Sequence, residues 1–183
     1  MNQSDTIEQF DKQNKISTGD FDAVYKLLNQ SFPINEQRTK ADQMKLLQQD
    51  DYKIIVRRTK GSIISAFLAI WEFEKIRYIE HFAVDEHLRG SGIGGDFLRA
   101  YLNRDNRPVM LEVELDTCEL CARRINFYKR YGFALNEYAY VQPAMQDGQN
   151  PLPLHVMSYP SPLSRQEFDV VDALLKSRVY AKR

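Results

Sequence analysis

The stretch that decides the fold is Asp85-Glu86-His87-Leu88-Arg89-Gly90-Ser91-Gly92-Ile93-Gly94-Gly95-Asp96-Phe97-Leu98, which follows a predicted strand. After the glycines, residues recur at every fourth position in two rows: Ile93, Phe97 and Tyr101, and Gly94, Leu98 and Leu102. This spacing predicts a helix. The first amides of a helix have no internal partners and carry partial positive charge, and glycine lets an anion approach them. Strand, glycine turn and helix together predict an anion site suited to a pyrophosphate.

A dinucleotide-binding fold is the first alternative, because Gly90, Gly92 and Gly95 also satisfy GxGxxG. Glu112 lies about 20 residues on, where such folds place a ribose-binding acid. Two features oppose it: residues 85–89 separate the strand from the glycines, and the flanking segments lack a βαβ pattern. A P-loop is excluded because no GK[ST] follows. A helix start that needs glycine only for tight packing remains open.

Elsewhere the chain predicts helices and strands in mixed order, and so an α/β or α+β class with a mixed sheet. Strands are expected at 6–11, 52–58, 63–71, 77–84, 109–115, 133–142 and 152–158, and further helices at about 21–32, 35–49, 120–129 and 164–183. Asp20 is predicted to cap the first helix, and Ser164 with Glu167 to form a capping box for the last. Residues 1–5 are expected to fray, and Lys60-Gly61 to form a turn. The length suits one domain spanning 1–183.

Composition limits the classes of partner. The 183 residues include 25 Lys and Arg and 25 Asp and Glu, so the formal net charge is zero. No overall field then attracts nucleic acid or an anionic membrane. The chain lacks an apolar run near the roughly 20 residues of a membrane helix, and its first residues lack an apolar signal core. We therefore expect a cytoplasmic protein with neither a nucleic-acid nor a membrane partner.

The two cysteines, Cys118 and Cys121, have CxxC spacing, which occurs in redox pairs and in metal sites. A zinc site needs two further ligands, and the three histidines are not paired at ligand spacing. The neighbouring sequence also lacks a thioredoxin-like context. We therefore predict two reduced thiols and no metal site.

Two blocks of sequence resemble one known family. Phe82-Ala83-Val84 and then Arg89-Gly90-Ser91-Gly92-Ile93-Gly94 resemble the acetyl-CoA signature of the GCN5-related N-acetyltransferase (GNAT) superfamily, whose pattern is [RQ]xxGx[GA]. Leu111-Glu112-Val113 and Phe127-Tyr128-Lys129-Arg130-Tyr131-Gly132-Phe133 resemble its second block, a helix that ends in tyrosine before a Gly-Phe turn. The resemblance covers about residues 18–158 and is closest to bacterial members, without indicating a substrate. Cys121 and Arg124 depart from the asparagine and alanine often found there.

The resemblance implies a mostly antiparallel central sheet with splayed middle strands, flanked by helices. It also implies an acetyl-CoA site in which backbone groups bind pantetheine and the thioester, the Val84 amide stabilises the oxyanion, and the glycine turn binds pyrophosphate. The implied coenzyme-binding residues are Phe82, Ala83, Val84, Arg89, Gly90, Ser91, Gly92, Ile93, Gly94 and Gly95. Tyr128 is the implied acid that protonates the departing thiolate.

The reaction also needs a base that takes a proton from the amine, and the candidates are glutamates. Period-2 alternation along the strand 77–84 places Glu80 on one face with Phe82 and Val84, and His81 on the other. Glu80 is therefore our candidate base, and His81 a structural residue. Glu112 and Glu114 are the alternatives. The segment from Phe32-Pro33 to Glu36 is interpreted either as part of an acceptor-binding loop or as a helix break.

These observations favour an enzyme that moves an acetyl group from acetyl-CoA to a primary amine by direct attack. The acceptor is a small molecule or a peptide, and a homodimer stays open. The alternatives are the same fold with another acyl-CoA, and a non-catalytic acyl-CoA sensor. The presence of both Glu80 and Tyr128 favours catalysis.

Overall fold

The computed structural model describes residues 5–59 and 63–181. The strands are β1 (Thr6–Phe10), β2 (Tyr52–Thr59), β3 (Ile63–Glu72), β4 (Arg77–Val84), β5 (Val109–Glu114), β6 (Ala134–Gln142) and β7 (Leu152–Tyr159). The α-helices are α1 (Thr18–Ser31), α2 (Lys40–Leu46), α3 (Ile93–Leu102), α4 (Glu119–Arg130) and α5 (Arg165–Leu174). A π-helical turn, Leu175–Val179, continues α5. Most of the expected tail and the turn at Lys60-Gly61 lie outside the described residues.

The strands form one sheet in the order β1-β2-β3-β4-β5-β7-β6. Every neighbouring pair is antiparallel except β4 and β5. The predicted mixed, mostly antiparallel sheet is confirmed. A dinucleotide-binding half is wrong for this chain, because such a half needs several adjacent parallel strands.

The parallel pair β4 and β5 is short. Its register covers three residue pairs, from Arg77 opposite Val109 to Ile79 opposite Leu111. Beyond Ile79, β4 continues to Val84 with only β3 as its partner. Over the same stretch β5 pairs with β7. The two middle strands therefore separate, as expected, and leave an opening in the sheet.

Helices cover both faces of the sheet. The first core contains buried residues of α1, α5 and the π-helical turn, including Phe21, Phe168 and Val179, against Trp71 of β3. The second contains residues of α3 and α4 against the opposite face, including Phe97, Leu98, Ile125 and Tyr128. In each of these helices the buried residues recur at three- or four-residue intervals and so lie on the side that faces the sheet.

A β-bulge in β4 changes which side chains share a face. Ala69 and Ile70 are adjacent on β3, but their partners on β4 are His81 and Ile79, so Glu80 is the extra residue. One extra residue reverses the alternation beyond it. Phe82 therefore joins the second core, and the prediction that Glu80 shares its face is wrong.

Two predictions about helices need correction. Ser17, not Asp20, caps α1, because its side chain accepts from the Asp20 amide in the first turn. The long helix expected at 35–49 is instead a 3₁₀ turn, Ile34–Glu36, followed by the seven-residue α2. The segment between them buries Gln37 and Arg38, whose contacts override local helix propensity. The capping box of Ser164 and Glu167 is confirmed.

Arg77, the first residue of β4, is fully buried and anchors α3 to the sheet. Its guanidinium donates to four carbonyl oxygens, of Tyr101 at 2.8 Å, Leu102 at 3.2 Å, Asp105 at 3.1 Å and Arg107 at 3.0 Å. Two of these carbonyls belong to the last turn of α3, where helical partners are absent. This contact fixes the strand and the helix that lie on either side of the glycine turn.

We expect Arg77→Met to lower the free energy of unfolding by at least about 3 kcal/mol, because it leaves buried carbonyls without donors. Urea denaturation measures the change. Arg165→Met, at an exposed position of α5, is the control and should stay within about 0.5 kcal/mol of the parent. A loss below about 1 kcal/mol for Arg77→Met would refute its role as an anchor.

Candidate active site

A cavity of about 950 Å³ occupies the opening between β4 and β5. Its wall includes the β4 residues Ile79 to Val84 and, from β5, Leu111 and Glu112. The glycine turn and α4 line one side, and the segment Phe32 to Glu36 lines another. The structure therefore brings nearly all the predicted site residues to one cavity; Ser91 and Ile93 belong to the same turn but are not in its lining.

The glycine turn begins α3 without a capping side chain. Gly92 is the N-cap residue with φ of 90°, and Gly90 has φ of 80°, values that favour glycine. A 2.9 Å hydrogen bond from Arg57 of β2 to the Ile93 carbonyl holds the start of the helix. The first amides of α3 therefore lie at the cavity with space in front of them, the arrangement that an anion requires.

Gly94 and Gly95 lie within the first turn of α3 and are needed for packing. A Cβ on Gly94 would lie 3.0 Å from Val84 Cγ2. A Cβ on Gly95 would lie 1.6 Å from the Tyr131 hydroxyl, so the Tyr131 side chain at the end of α4 packs directly against Gly95. Gly94 and Gly95 therefore agree with the packing alternative, whereas Gly90 and Gly92 have open space around them.

At the end of β4, backbone groups that do not pair with β3 face the cavity. The Asp85 amide donates to Ser65 of β3 at 2.9 Å, so by alternation the polar groups of Val84 point away from β3. Consistent with this direction, Arg89 Nε donates to the Val84 carbonyl at 3.1 Å. The Arg89 side chain is exposed beside the cavity.

Tyr128 is near the end of α4 and is 7% exposed. Its ring packs edge-on against Phe127 and Phe133, and it lines the cavity. Burial raises the pKa of Tyr128 above its ordinary value, while Arg124 opposes this effect. The phenol therefore stays protonated across the physiological range.

Glu80 also lines the cavity, but Arg38 engages it. Arg38 Nη1 lies 2.5 Å from Glu80 Oε1, and Arg38 Nη2 donates to the Val179 carbonyl at 2.9 Å. Both side chains are almost fully buried. His81 Nδ1 lies 3.8 Å from Glu80 Oε2, so the bulge places the two neighbours together rather than on opposite faces. Burial lowers the pKa of His81, although Glu80 attracts its proton.

Glu112 is at the centre of a polar cluster that includes the C-terminal segment. Tyr180 donates to it at 2.7 Å and Gln142 at 2.8 Å, and Tyr140 donates to its other oxygen. Tyr78 contacts the Tyr180 hydroxyl at 2.8 Å. Burial raises the pKa of Glu112, and these donors oppose the shift.

Glu114, the other alternative base, is paired with Arg124 of α4. The Arg124 guanidinium also lies 5.9 Å from the centroid of the Phe32 ring. Arg124, which stands where the family often has alanine, therefore joins α4 to β5 and to the segment after α1.

Glu36 is half-buried at the cavity wall. Its backbone carbonyl lies 2.8 Å from His81 Nε2, which holds the 3₁₀ turn against β4. Burial raises the pKa of Glu36 to about 7; Glu114 and Glu112 add to this shift and Arg124 opposes it. The predicted helix break is confirmed, since α1 ends before Pro33, and the acceptor-binding interpretation stays a prediction that agrees with the place of Glu36 in the cavity wall.

Cys118 and Cys121 form a disulfide, so the prediction of reduced thiols is wrong for this structure. Cys118 is the N-cap of α4 and Cys121 is in its first turn, which brings their Cα atoms to 5.1 Å. That separation is within the range for a disulfide. The sequence spacing indicated such a pair, but composition alone did not decide its oxidation state.

Sequence comparison identifies a known domain in the middle of the chain. The family model described as acetyltransferase (GNAT) domain matches residues 50–135. YjbC of Bacillus subtilis (strain 168), which is named a provisional acetyltransferase, is 32% identical over 111 residues. The match covers 60% of this chain and 55% of YjbC, so it spans little more than half of that relative.

Solved structures share the whole architecture. A provisional acetyltransferase of the GNAT family from Bacteroides thetaiotaomicron is 27% identical with a TM-score of 0.86, covering 97% of this chain and 99% of that one. NAA60 of Arabidopsis thaliana, solved in complex with acetyl-CoA, is 16% identical with a TM-score of 0.62, covering 85% and 98%. The second likeness concerns the fold alone. Residues 50–135 thus match a GNAT acetyltransferase domain, and the whole chain shares its fold with a structure of the GNAT family.

No helix among residues 5–59 and 63–181 is both long and apolar enough to cross a membrane.

We expect Gly92→Ala to weaken acetyl-CoA binding by at least about tenfold, because a side chain there displaces the amides that face the phosphate. Gly148→Ala is the matched control: Gly148 has φ of 81°, has open space around it and lies outside the cavity. Both variants should lose about 1–2 kcal/mol of stability, the usual penalty for an L-residue in this region. Titration calorimetry measures affinity, with NAD as a ligand that should not bind. Equal affinity of the two variants for acetyl-CoA would show that the turn is not the phosphate site.

Proposed function

We propose that the protein transfers an acetyl group from acetyl-CoA to a primary amine by direct attack. The observation that supports this most is the separation of β4 from β5 beyond Ile79, with Tyr128 and the glycine turn at the same opening. A strand that leaves its neighbour exposes unpaired backbone groups, which must find another partner. An extended arm with amide groups, such as pantetheine, satisfies them.

Acetyl-CoA is the proposed co-substrate. Its pyrophosphate binds the amides at the start of α3, along the turn from Gly90 to Gly95, with Arg89 beside it. Its pantetheine arm binds the backbone of Phe82, Ala83 and Val84. The NAA60 structure, similar in fold, contains acetyl-CoA. We derive no role for a metal ion.

The chemistry requires two things of the protein. The Val84 amide, which points away from β3, donates to the thioester oxygen as negative charge develops on it. Tyr128 gives its proton to the sulfur as the C–S bond breaks. Burial raises the pKa of Tyr128. We therefore expect the acceptor amine to lose its proton at a lower pH than Tyr128 does, so that ionisation of Tyr128 does not limit the rate in that range.

The acceptor is a small-molecule or peptide amine that enters from the side of Glu36 and Glu112. Three carboxylates of the described residues line the cavity: Glu36, Glu80 and Glu112. An amine is an ammonium ion near neutral pH, so carboxylates at this end favour its approach. The cytoplasm is the proposed compartment for this transfer.

We expect Tyr128→Phe to lower kcat by about 10²–10⁴-fold while the affinity for acetyl-CoA stays normal, because the ring still packs and only the proton donor is lost. Thiol release from acetyl-CoA with spermidine, tyramine and the peptide Gly-Lys-Gly provides the assay. Tyr138→Phe is the control, since its hydroxyl donates to the Leu163 carbonyl away from the cavity.

Unchanged kcat in Tyr128→Phe would remove Tyr128 from the mechanism. Acetyl-CoA binding without thiol release for any amine would favour a sensor over an enzyme. Release only from a longer acyl-CoA would correct the donor.

A further inference from the structure

A general base in the cavity needs an oxygen lone pair that is free to take a proton from the nitrogen of the amine substrate. The three lining carboxylates differ in this respect. Arg38 binds Glu80 Oε1 at 2.5 Å, and Glu112 accepts from Tyr140, Tyr180 and Gln142. Donors of this kind stabilise a carboxylate as an anion and occupy the sites at which a proton would arrive. Among the described residues, Glu80 Oε2 has no hydrogen-bond partner of its own, but it is buried. Both carboxylates are therefore suited to hold structure together.

The Glu36 carboxylate differs from the other two. Within residues 5–59 and 63–181, no hydrogen bond or ion pair engages its side chain. It is half-buried, and it faces the cavity that Tyr128 also lines. Among the lining carboxylates of the described ranges, it alone combines a side chain without a hydrogen-bond or ion-pair partner with partial exposure, since Glu80 Oε2, which also lacks a hydrogen-bond partner, is buried.

The backbone around Glu36 is nevertheless held firmly. His81 Nε2 lies 2.8 Å from the Glu36 carbonyl. The Gln37 side chain donates to the Phe32 carbonyl at 2.6 Å, and Gln146 donates to the Gln37 carbonyl at 2.8 Å. Arg38 then joins the segment to Glu80. These contacts fix the position of the turn and leave its one carboxylate available, which is the arrangement of a prepared catalytic group.

Charged groups from three elements face Glu36. Glu112 and Glu114 lie on β5, Arg124 on α4, and Glu80 with His81 on β4. The two carboxylates of β5 disfavour a further negative charge, and Arg124 reduces their effect. Glu114 and Arg124 form an ion pair with each other, so neither side chain is committed to Glu36.

We propose that Glu36 is the general base of the transfer, and that Glu80 is a positioning residue that acts through Arg38. This assignment depends on the proposed function. The acceptor ammonium gives one proton to the Glu36 carboxylate, and the nitrogen lone pair then forms the C–N bond. The C–S electron pair leaves with sulfur, which takes the Tyr128 proton. The phenolate recovers a proton from the nitrogen, and Glu36 releases its own to solvent.

The test compares Glu36→Gln with Glu80→Gln across pH 6 to 9, with the three amines named above and saturating acetyl-CoA. We expect Glu36→Gln to lower kcat by about 10²–10³-fold and to abolish the low-pH limb, because a glutamine amide cannot accept a proton in this pH range. The wild-type limb should have its midpoint near 7, below which Glu36 is protonated. Glu80→Gln should lose stability but retain that limb. Glu137→Gln, exposed on β6, is the control and should behave as the parent.

Two further measurements keep the assignment testable whichever amine reacts. In ¹³C NMR of glutamate-labelled protein, a carboxyl resonance that titrates near 7 should disappear in Glu36→Gln. The melting temperature of Glu36→Gln relative to the parent should be higher at pH 8 than at pH 5, because ionising a half-buried carboxylate disfavours the fold. Absence of the titrating resonance, or loss of the low-pH limb in Glu80→Gln instead, would overturn the assignment. Failure of acetyl-CoA to bind would instead refute the proposed function.

Discussion

The separation of β4 from β5 after three paired residues is the constraint on which the site depends. Pairing the two strands to their ends would satisfy their backbone groups and close the cavity. Because they part, the backbone groups of Phe82 and Val84 that point away from β3 face the cavity rather than β5. The middle of the sheet therefore contains backbone amide and carbonyl groups without a partner strand. A ligand that accepts and donates hydrogen bonds along β4 can pair with these groups.

Two buried arginines maintain the opening from opposite ends. Arg77 holds the start of β4, where the strands still pair, to the end of α3. Arg38 holds Glu80, at the point where they part, to the π-helical turn. A buried charge is costly unless it is fully paired, so both contacts resist rearrangement once made. The second contact also brings the segment of Glu36 to the cavity, which links the geometry of β4 to the acceptor side.

The sequence predicted those features of the site that depend on residues close together in the chain. The bounds of the strand 77–84 follow from the sequence, since the strand-forming residues are contained in eight consecutive positions. The glycine turn and α3 followed from spacing, and Tyr128 from the second family block. Features that depend on distant residues were not predicted. The bulge at Glu80 changes faces without a glycine to mark it, and Arg38 lies 42 residues from its partner. Glu36 was noticed only as a loop residue, because its environment is made by β5 and α4.

The central claim is that the opening between β4 and β5 binds the acetyl-bearing arm of acetyl-CoA beneath Tyr128. A crystal structure of the acetyl-CoA complex tests it directly. The account predicts pyrophosphate on the amides that begin α3, pantetheine along Phe82 to Val84, and the sulfur about 3–3.5 Å from the Tyr128 hydroxyl. A coenzyme bound elsewhere, or one whose sulfur lies beyond the reach of Tyr128 with β4 and β5 closed together, would contradict it.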